Sequence, residues 1–125
     1  MPKFTIVQPR FYVVPFAEKL HESQSDVVLQ ARKTLDGPVA RIGGDDVIEA
    51  SLRGWSLEYA NANGDRIEYP LGLASVFVGI ESVSGRNVVV TLTARLRPML
   101  GNPAHKFYVS GEALLVAGIE TDISL

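Results

Sequence analysis

Two arginines near the end of a long alternating segment are the residues best suited to bind an anion. In VVVTLTARLRP, residues 88–98, apolar side chains alternate with a second set that ends in Arg95 and Arg97. Such alternation predicts a strand with one buried face and one solvent-facing side, which carries both guanidinium groups. Exposed ion pairs are common and contribute little to stability. We therefore favour an ion pair with Glu112 or Glu81 over an anion site.

The two histidines, His21 and His105, are the only imidazole side chains that could serve as a general base. A Ser-His-Asp arrangement would need one of them. However, the sequence has no G-x-S-x-G nucleophile motif. His105 follows Gly-Asn-Pro-Ala, which is typical of a turn, and His21 precedes the polar residues Glu22, Ser23 and Gln24. We predict surface positions for both and no catalytic residue.

Asp45, Asp46 and Glu49 form a carboxylate cluster that could hold a hard cation. Their spacing in GGDDVIE differs from that of an EF-hand loop, and capping of a helix accounts for it equally well. Neither the G-x-G-x-x-G nor the G-x-x-x-x-G-K-[ST] phosphate-binding motif is present. The chain has no cysteine, which removes disulfides, thiolate metal sites and cysteine nucleophiles. We predict neither a metal nor a cofactor.

Length and composition predict one soluble domain over residues 1–125, with 46% hydrophobic and 21% charged residues. Acidic residues outnumber basic ones by 14 to 12, which makes nucleic-acid binding unlikely because phosphate neutralisation supplies much of its affinity. No apolar run is long enough to cross a bilayer. Pro9 and Pro15 interrupt the N-terminal apolar segment, which does not resemble a signal peptide. We expect a cytoplasmic or virion protein without a membrane partner.

The elements that must position these residues are mainly β. Residues 4–14, FTIVQPRFYVV, predict N-terminal edge strands because Pro9 cannot donate a ladder hydrogen bond. From Trp55 onward, alternating segments separated by turn residues predict an antiparallel meander of about five strands over residues 55–120. Its turns include Asn63-Gly64 and the SGRN segment of a second hairpin, residues 84–87.

The region between about residues 17 and 53 predicts one or two short helices. An apolar stripe that ends at a Gly-Pro pair favours a helix over about residues 25–35, although DVVLQARKTL also fits a strand. A second helix capped within GGDD competes with a strand over VIEASL. The expected fold class is therefore mainly β (α+β).

Pairing of the last two strands along their apolar faces would place Arg97 opposite Tyr108, with Glu112 diagonal to Arg95. The far end of that same face would be apolar, and large bare apolar patches usually mark contacts. We therefore predict an interface there. Its residues are Val89, Leu114, Val116, Arg95, Arg97 and Tyr108.

The lack of catalytic motifs favours a non-enzymatic structural or assembly module. It would be a self-associating β-rich subunit, such as a phage or virion structural protein, in a homo-oligomer or a larger assembly. One alternative is a small-molecule-binding α+β cone protein, either a carrier or an isomerase-like enzyme. Another is an adaptor that binds a protein by strand addition, or single-stranded RNA through Arg95, Arg97 and Tyr108.

Overall fold

The computed structural model describes residues 3–23, 25–100 and 106–124, and all regular structure in this part of the chain is strand. The mainly β prediction is therefore confirmed. The eight strands are β1 (Lys3–His21), β2 (Val27–Thr34), β3 (Arg41–Ile42), β4 (Asp45–Asp46), β5 (Ile48–Ala60), β6 (Leu71–Ser84), β7 (Asn87–Pro98) and β8 (Lys106–Ser124). No helix in the described residues could cross a membrane.

Both predicted helices are wrong. The segment expected to be helical over about residues 25–35 is largely β2, and the segment after GGDD is β5. Along β2 the more buried side chains are those of alternate residues, beginning at Val27, and the strand pairs with β7. So short an apolar segment fits a two-residue period as well as a helical one, and pairing with a neighbouring strand decides between them.

Two three-stranded antiparallel sheets pack face to face. Sheet 1 has the strand order β1-β8-β5 and sheet 2 the order β2-β7-β6, while β3 and β4 form a small hairpin. The central strands β8 and β7 face each other, with β1 near β2 and β5 near β6 at the sides. We call the side of each sheet that packs on the other sheet its inner face, and the opposite side its outer face.

The core lies between the two central strands. Alternate residues on β7 and β8 are at most 4% exposed: Val88, Val90, Leu92, Ala94, Leu96, Phe107, Val109, Ala113, Leu115 and Ala117. Gly111 lies in this series, and a Cβ atom there would lie 2.7 Å from Cδ1 of Leu92. A glycine is therefore required for Leu92 to reach the backbone of the facing sheet.

The predicted meander is only partly right. β6 and β7 form the expected hairpin, whose turn at Gly85 has a φ of 63°, a conformation that favours glycine. In contrast, β7 and β8 do not pair, because they are the central strands of different sheets. Their apolar faces meet across the core. Alternation identifies the buried face of a strand, but it does not specify whether its partner lies beside that strand or across from it.

The turn at Asn63-Gly64 is present, but it does not join two long paired strands. After β5 the chain makes a single bridge between Ala60 and Arg66. It then enters β6, which lies in the other sheet. β5 pairs instead with β8, so the meander is replaced by repeated crossings between sheets.

The prediction of N-terminal edge structure is confirmed. β1 pairs only with β8, although it is one strand of 19 residues with a register shift between Phe16 and Lys19. Pro9 and Pro15 are an even number of residues apart, so their nitrogen atoms lie on the same edge of β1. Prolines of this kind are tolerated at an edge strand where the nitrogen faces away from the neighbouring strand.

Candidate functional site

The six residues of the predicted interface are divided between the two outer faces. Val89, Arg95 and Arg97 lie on the outer face of sheet 2, where β7 is central, and Tyr108, Leu114 and Val116 lie on the outer face of sheet 1, where β8 is central. The register that joined them was wrong because β7 and β8 belong to different sheets. They therefore belong to two separate surfaces, and their role in an interface stays a prediction.

Arg95 and Arg97 share one carboxylate, that of Asp26. Arg95 donates two hydrogen bonds to it, at 2.7 Å from Nε and 2.6 Å from Nη2, and Nη2 of Arg97 lies 3.6 Å from Oδ1. The hydrogen bond from Arg95 is the main reason that the pKa of Asp26 is lowered, and Asp26 in turn raises the pKa of Arg95. The arginines are thus held within their own sheet.

The predicted partners of the arginines, Glu112 and Glu81, are wrong. Glu112 accepts a hydrogen bond from Arg53 at 3.2 Å, and Glu81 accepts one from Gln30 at 2.8 Å. Asp26 was missed because its segment was expected to be helical. Once β2 pairs with β7, Val27 lies opposite Ala94, and the preceding residue falls beside Arg95.

Tyr108 is covered by the turn that follows β5. Its hydroxyl donates a hydrogen bond of 2.6 Å to the carbonyl oxygen of Gly64, and the guanidinium of Arg66 lies 4.1 Å from the centre of its ring. Arg66 also binds Glu18 at 2.5 Å and Glu58 at 2.9 Å, and the hydrogen bond to Glu18 is the main reason that the pKa of Arg66 is raised. The aromatic ring is therefore stacked against its own chain.

An apolar strip crosses β1 and β8 on the outer face of sheet 1. Phe11 lies opposite Val116, and Val13 lies opposite Leu114. Phe11 is 68% exposed and Val13 is also exposed, while the two β8 residues are half-buried. With Val7, these residues form what we call the apolar strip. The β1 members were missed, although their alternation with Ile6, Tyr12 and Val14 is visible in the sequence.

A groove continues the apolar strip at the end where β8 extends past β5. Its volume is about 360 Å³, and its lining residues are Val7, Pro9, Asp46, Val47, Ile48, Glu49, Val116, Ala117 and Gly118. A Cβ atom on Gly118 would lie 2.8 Å from a methyl group of Val7 and 2.9 Å from one of Val47, so glycine forms the floor. Glu49 lies directly opposite Val116 and places a carboxylate at the margin.

The outer face of sheet 2 also carries exposed apolar side chains. Val28 and Phe77, 55% and 59% exposed, lie on either side of Thr93 in one row across the sheet. Arg32 lies beside the half-buried Val89. It makes no ion pair or hydrogen bond with any side chain that the structure describes.

His21 meets two hydroxyl groups, but the arrangement is not a triad. Its Nε2 lies 3.2 Å from the hydroxyl oxygens of both Ser23 and Ser25, and its ring packs edge-on against Phe107. Within residues 3–23, 25–100 and 106–124, no carboxylate hydrogen-bonds to this imidazole. His105 lies outside the described residues.

The carboxylates of GGDDVIE do not converge on one point. Asp45 and Asp46 belong to β4, which pairs with β3, whereas Glu49 lies on β5 beside β8. Among the described residues, no group of three or more histidine or acidic side chains is arranged to hold a metal ion.

Both outer faces therefore leave large apolar side chains exposed, among them Phe11 on sheet 1 and Phe77 on sheet 2. No protein-family model, curated protein or solved structure matches this chain.

Proposed function

We propose that this protein is a non-enzymatic structural module that assembles with copies of itself, as a phage or other virion structural protein would. The observation that carries this proposal is the apolar strip on the outer face of sheet 1, where Phe11 is 68% exposed. The outer face of a sheet in a two-sheet fold normally carries polar side chains. Contiguous exposed apolar residues on a folded domain usually mark a contact surface.

Burial of the apolar strip would give self-association a substantial driving force. Val7, Phe11 and Val13 are between 39% and 68% exposed. Full burial of such a side chain is favourable by about 1.5–3 kcal/mol. Burial of only the exposed part of all three side chains would therefore contribute about 3 kcal/mol in a contact. None of the three lies among the core residues, and folding alone does not account for their apolar character.

Two alternative roles receive less support from the same surfaces. Strand addition would use the free edge of β1, but Pro9 and Pro15 remove hydrogen-bond donors from that edge. Binding of single-stranded RNA would need an exposed ring beside free arginines, whereas Tyr108 stacks on Arg66 and the two arginines of β7 share Asp26. Both observations favour a contact through a sheet face.

The small-molecule alternative assumed a cone of strands around a helix. The described chain instead has two packed sheets whose inner side chains fill the space between them. The groove beside Glu49 is open to solvent and continuous with the apolar strip. We therefore treat the groove as part of a protein contact.

Solution mass measured by light scattering over a range of protein concentrations tests the proposal. We expect the wild-type protein to exceed the monomer mass of 13.6 kDa and Phe11→Ser to remain monomeric. Met99→Ser is the matched control, because Met99 is also 68% exposed and lies beyond the end of β7. A wild-type protein that stays at the monomer mass at the highest concentration would refute the proposal.

A further inference from the structure

The outer faces of sheets 1 and 2 both carry exposed apolar side chains and point in opposite directions. The apolar strip marks one of them, and Val28, Phe77 and the half-buried Val89 mark the other. One contact between identical faces would cover only one of these surfaces. A contact between unlike faces would cover both, since each copy would use one face for the copy before it and the other for the copy after it.

The groove half of the sheet 1 face and the sheet 2 face have net charges of opposite sign. On the strands of sheet 1, the outer positions from Glu112 towards the groove carry four carboxylates, those of Glu49, Glu112, Glu120 and Asp122. The one cationic side chain described there is that of Arg53, which binds Glu112. On sheet 2, Asp26 serves both arginines of β7, and Glu81 is bound to a neutral glutamine. With Arg32, that face has three cationic and two anionic groups.

The row through Glu49 and the row through Arg32 show how the faces could match. On sheet 1, Phe11, Val116 and Glu49 lie side by side across the three strands. On sheet 2, Arg32 lies beside Val89. Each row thus combines an apolar centre with one charged group for which no partner is present in the described chain, and the two charges are opposite.

The size of each face is close to that of a specific contact. Three strands about 4.8 Å apart and about 12 residues long cover roughly 15 Å by 40 Å, or about 600 Å² before the relief of the side chains is counted. Specific interfaces bury about 800 Å² on each partner. One sheet face, with the groove at its end, therefore approaches this value.

We infer that the occupant of the outer face of sheet 1 is the outer face of sheet 2 of a second copy of this chain. Glu49 of one copy then faces Arg32 of the next, and the apolar strip covers Val28 and Phe77. Contacts between unlike faces join copies head to tail, which closes into a ring or continues as a filament. This inference rests on the proposed function and adds its partner surface.

Two variants, each with one damaged face, test the inference. Phe11→Ser damages the sheet 1 face and Phe77→Ser damages the sheet 2 face. Each variant alone should be monomeric at 13.6 kDa. An equimolar mixture should form a heterodimer of twice that mass and nothing larger, because one intact face of each kind remains. Met99→Ser should assemble like the wild type.

Charge reversal tests the pairing of residues more closely. Glu49→Arg and Arg32→Glu should each raise the apparent dissociation constant by about tenfold, and mixing the two variants should restore the wild-type value. Glu68→Arg and Lys19→Glu are matched controls at exposed positions away from both faces and should change it little. Circular dichroism confirms that each variant is folded.

The outcomes separate this inference from the proposed function. A monomeric wild-type protein would refute both. Assembly that Phe11→Ser abolishes and Phe77→Ser leaves unchanged would indicate a contact between two sheet 1 faces, which overturns the head-to-tail inference alone. Failure of the two charge-reversed variants to rescue each other would overturn the proposed match between Glu49 and Arg32.

Discussion

The inner and outer faces of the two sheets follow the same alternation, but only the inner faces explain the fold. Leu92, on the inner face of β7, is fully buried against the facing sheet, whereas Phe11, on the outer face of β1, is 68% exposed. Both are large apolar residues on regular strands. A strand with apolar residues on both faces therefore contains two sets of residues with different roles. One set of residues stabilises the monomer, and we propose that the other provides surface for a contact outside it.

Truncation of one residue on each face has the largest expected effect and tests the difference between the faces. Leu92→Ala should lower the free energy of unfolding by about 2–5 kcal/mol, because it removes buried atoms and leaves a cavity between the sheets. Phe11→Ser should change it by less than about 0.5 kcal/mol, since exposed substitutions have small effects. Urea denaturation at low protein concentration measures both. Equal losses would mean that the outer face is part of the folding core.

Two glycines, one on an inner face and one on an outer face, provide a second comparison with a smaller expected change in stability. A Cβ atom at Gly111 would lie 2.7 Å from Leu92 and 2.9 Å from the carbonyl oxygen of Gly54, so Gly111→Ala should cost about 1–3 kcal/mol. At Gly79, on the outer face of β6, the nearest atom would be 3.8 Å away. Gly79→Ala should be neutral or stabilising by about 0.5 kcal/mol. Thermal denaturation compares the two, and a destabilising Gly79→Ala would show that something packs on that face.

Local features of the sequence were sufficient to predict part of the fold. Alternation correctly identified the buried side of β7 and β8, and Pro9 correctly indicated an edge. These properties depend on local periodicity and on the missing N–H group of proline, both of which are visible in one strand. The hairpin between β6 and β7 was likewise predicted from its glycine-containing turn.

The neighbours of those strands could not be predicted in the same way. Whether β7 lies beside β8 or across the core from it depends on contacts between segments far apart in the sequence. The same limit hid the partner of Arg95, because Asp26 comes beside it only when β2 pairs with β7. Residues 27–34 are too short for their period to separate strand from helix.

Removal of the Tyr59 hydroxyl tests whether this buried polar group on an inner face contributes to stability. This side chain is 8% exposed, and its hydroxyl has no hydrogen-bond partner among the described residues. Burial raises the pKa of Tyr59, and the nearby backbone of Gly72 opposes the shift without forming a hydrogen bond of standard geometry. Tyr59→Phe should therefore be neutral or stabilising by up to about 1 kcal/mol in urea denaturation. A clear loss of stability would mean that the hydroxyl is satisfied.

The smallest expected effect concerns Asp26, on the outer face of sheet 2. Arg95 holds the pKa of Asp26 below its ordinary value of 3.8. A carboxylate with a lowered pKa stabilises the fold above its unfolded-state pKa, and this contribution is lost as the pH falls through the folded-state value. Asp26→Asn should therefore be slightly less stable than the wild type at pH 7 and equal to it in strong acid.

Denaturation of both proteins between pH 7 and pH 2 measures this difference. Asp45→Asn is the control, because the Asp45 carboxylate has no side-chain partner within the described part of the chain. A difference between Asp26→Asn and the wild type that grows as the pH falls would contradict the assigned ion pair.

The central claim is that the apolar strip serves assembly and not folding, and the concentration dependence of thermal stability tests it most directly. Self-association raises the Tm of a protein with its concentration, because the partner binds the folded state alone. We predict that the Tm of the wild type rises with concentration. The Tm of Phe11→Ser should equal the wild-type value at low concentration and stay constant. A concentration-independent wild-type Tm, or a large loss of Tm in Phe11→Ser at low concentration, would contradict the account.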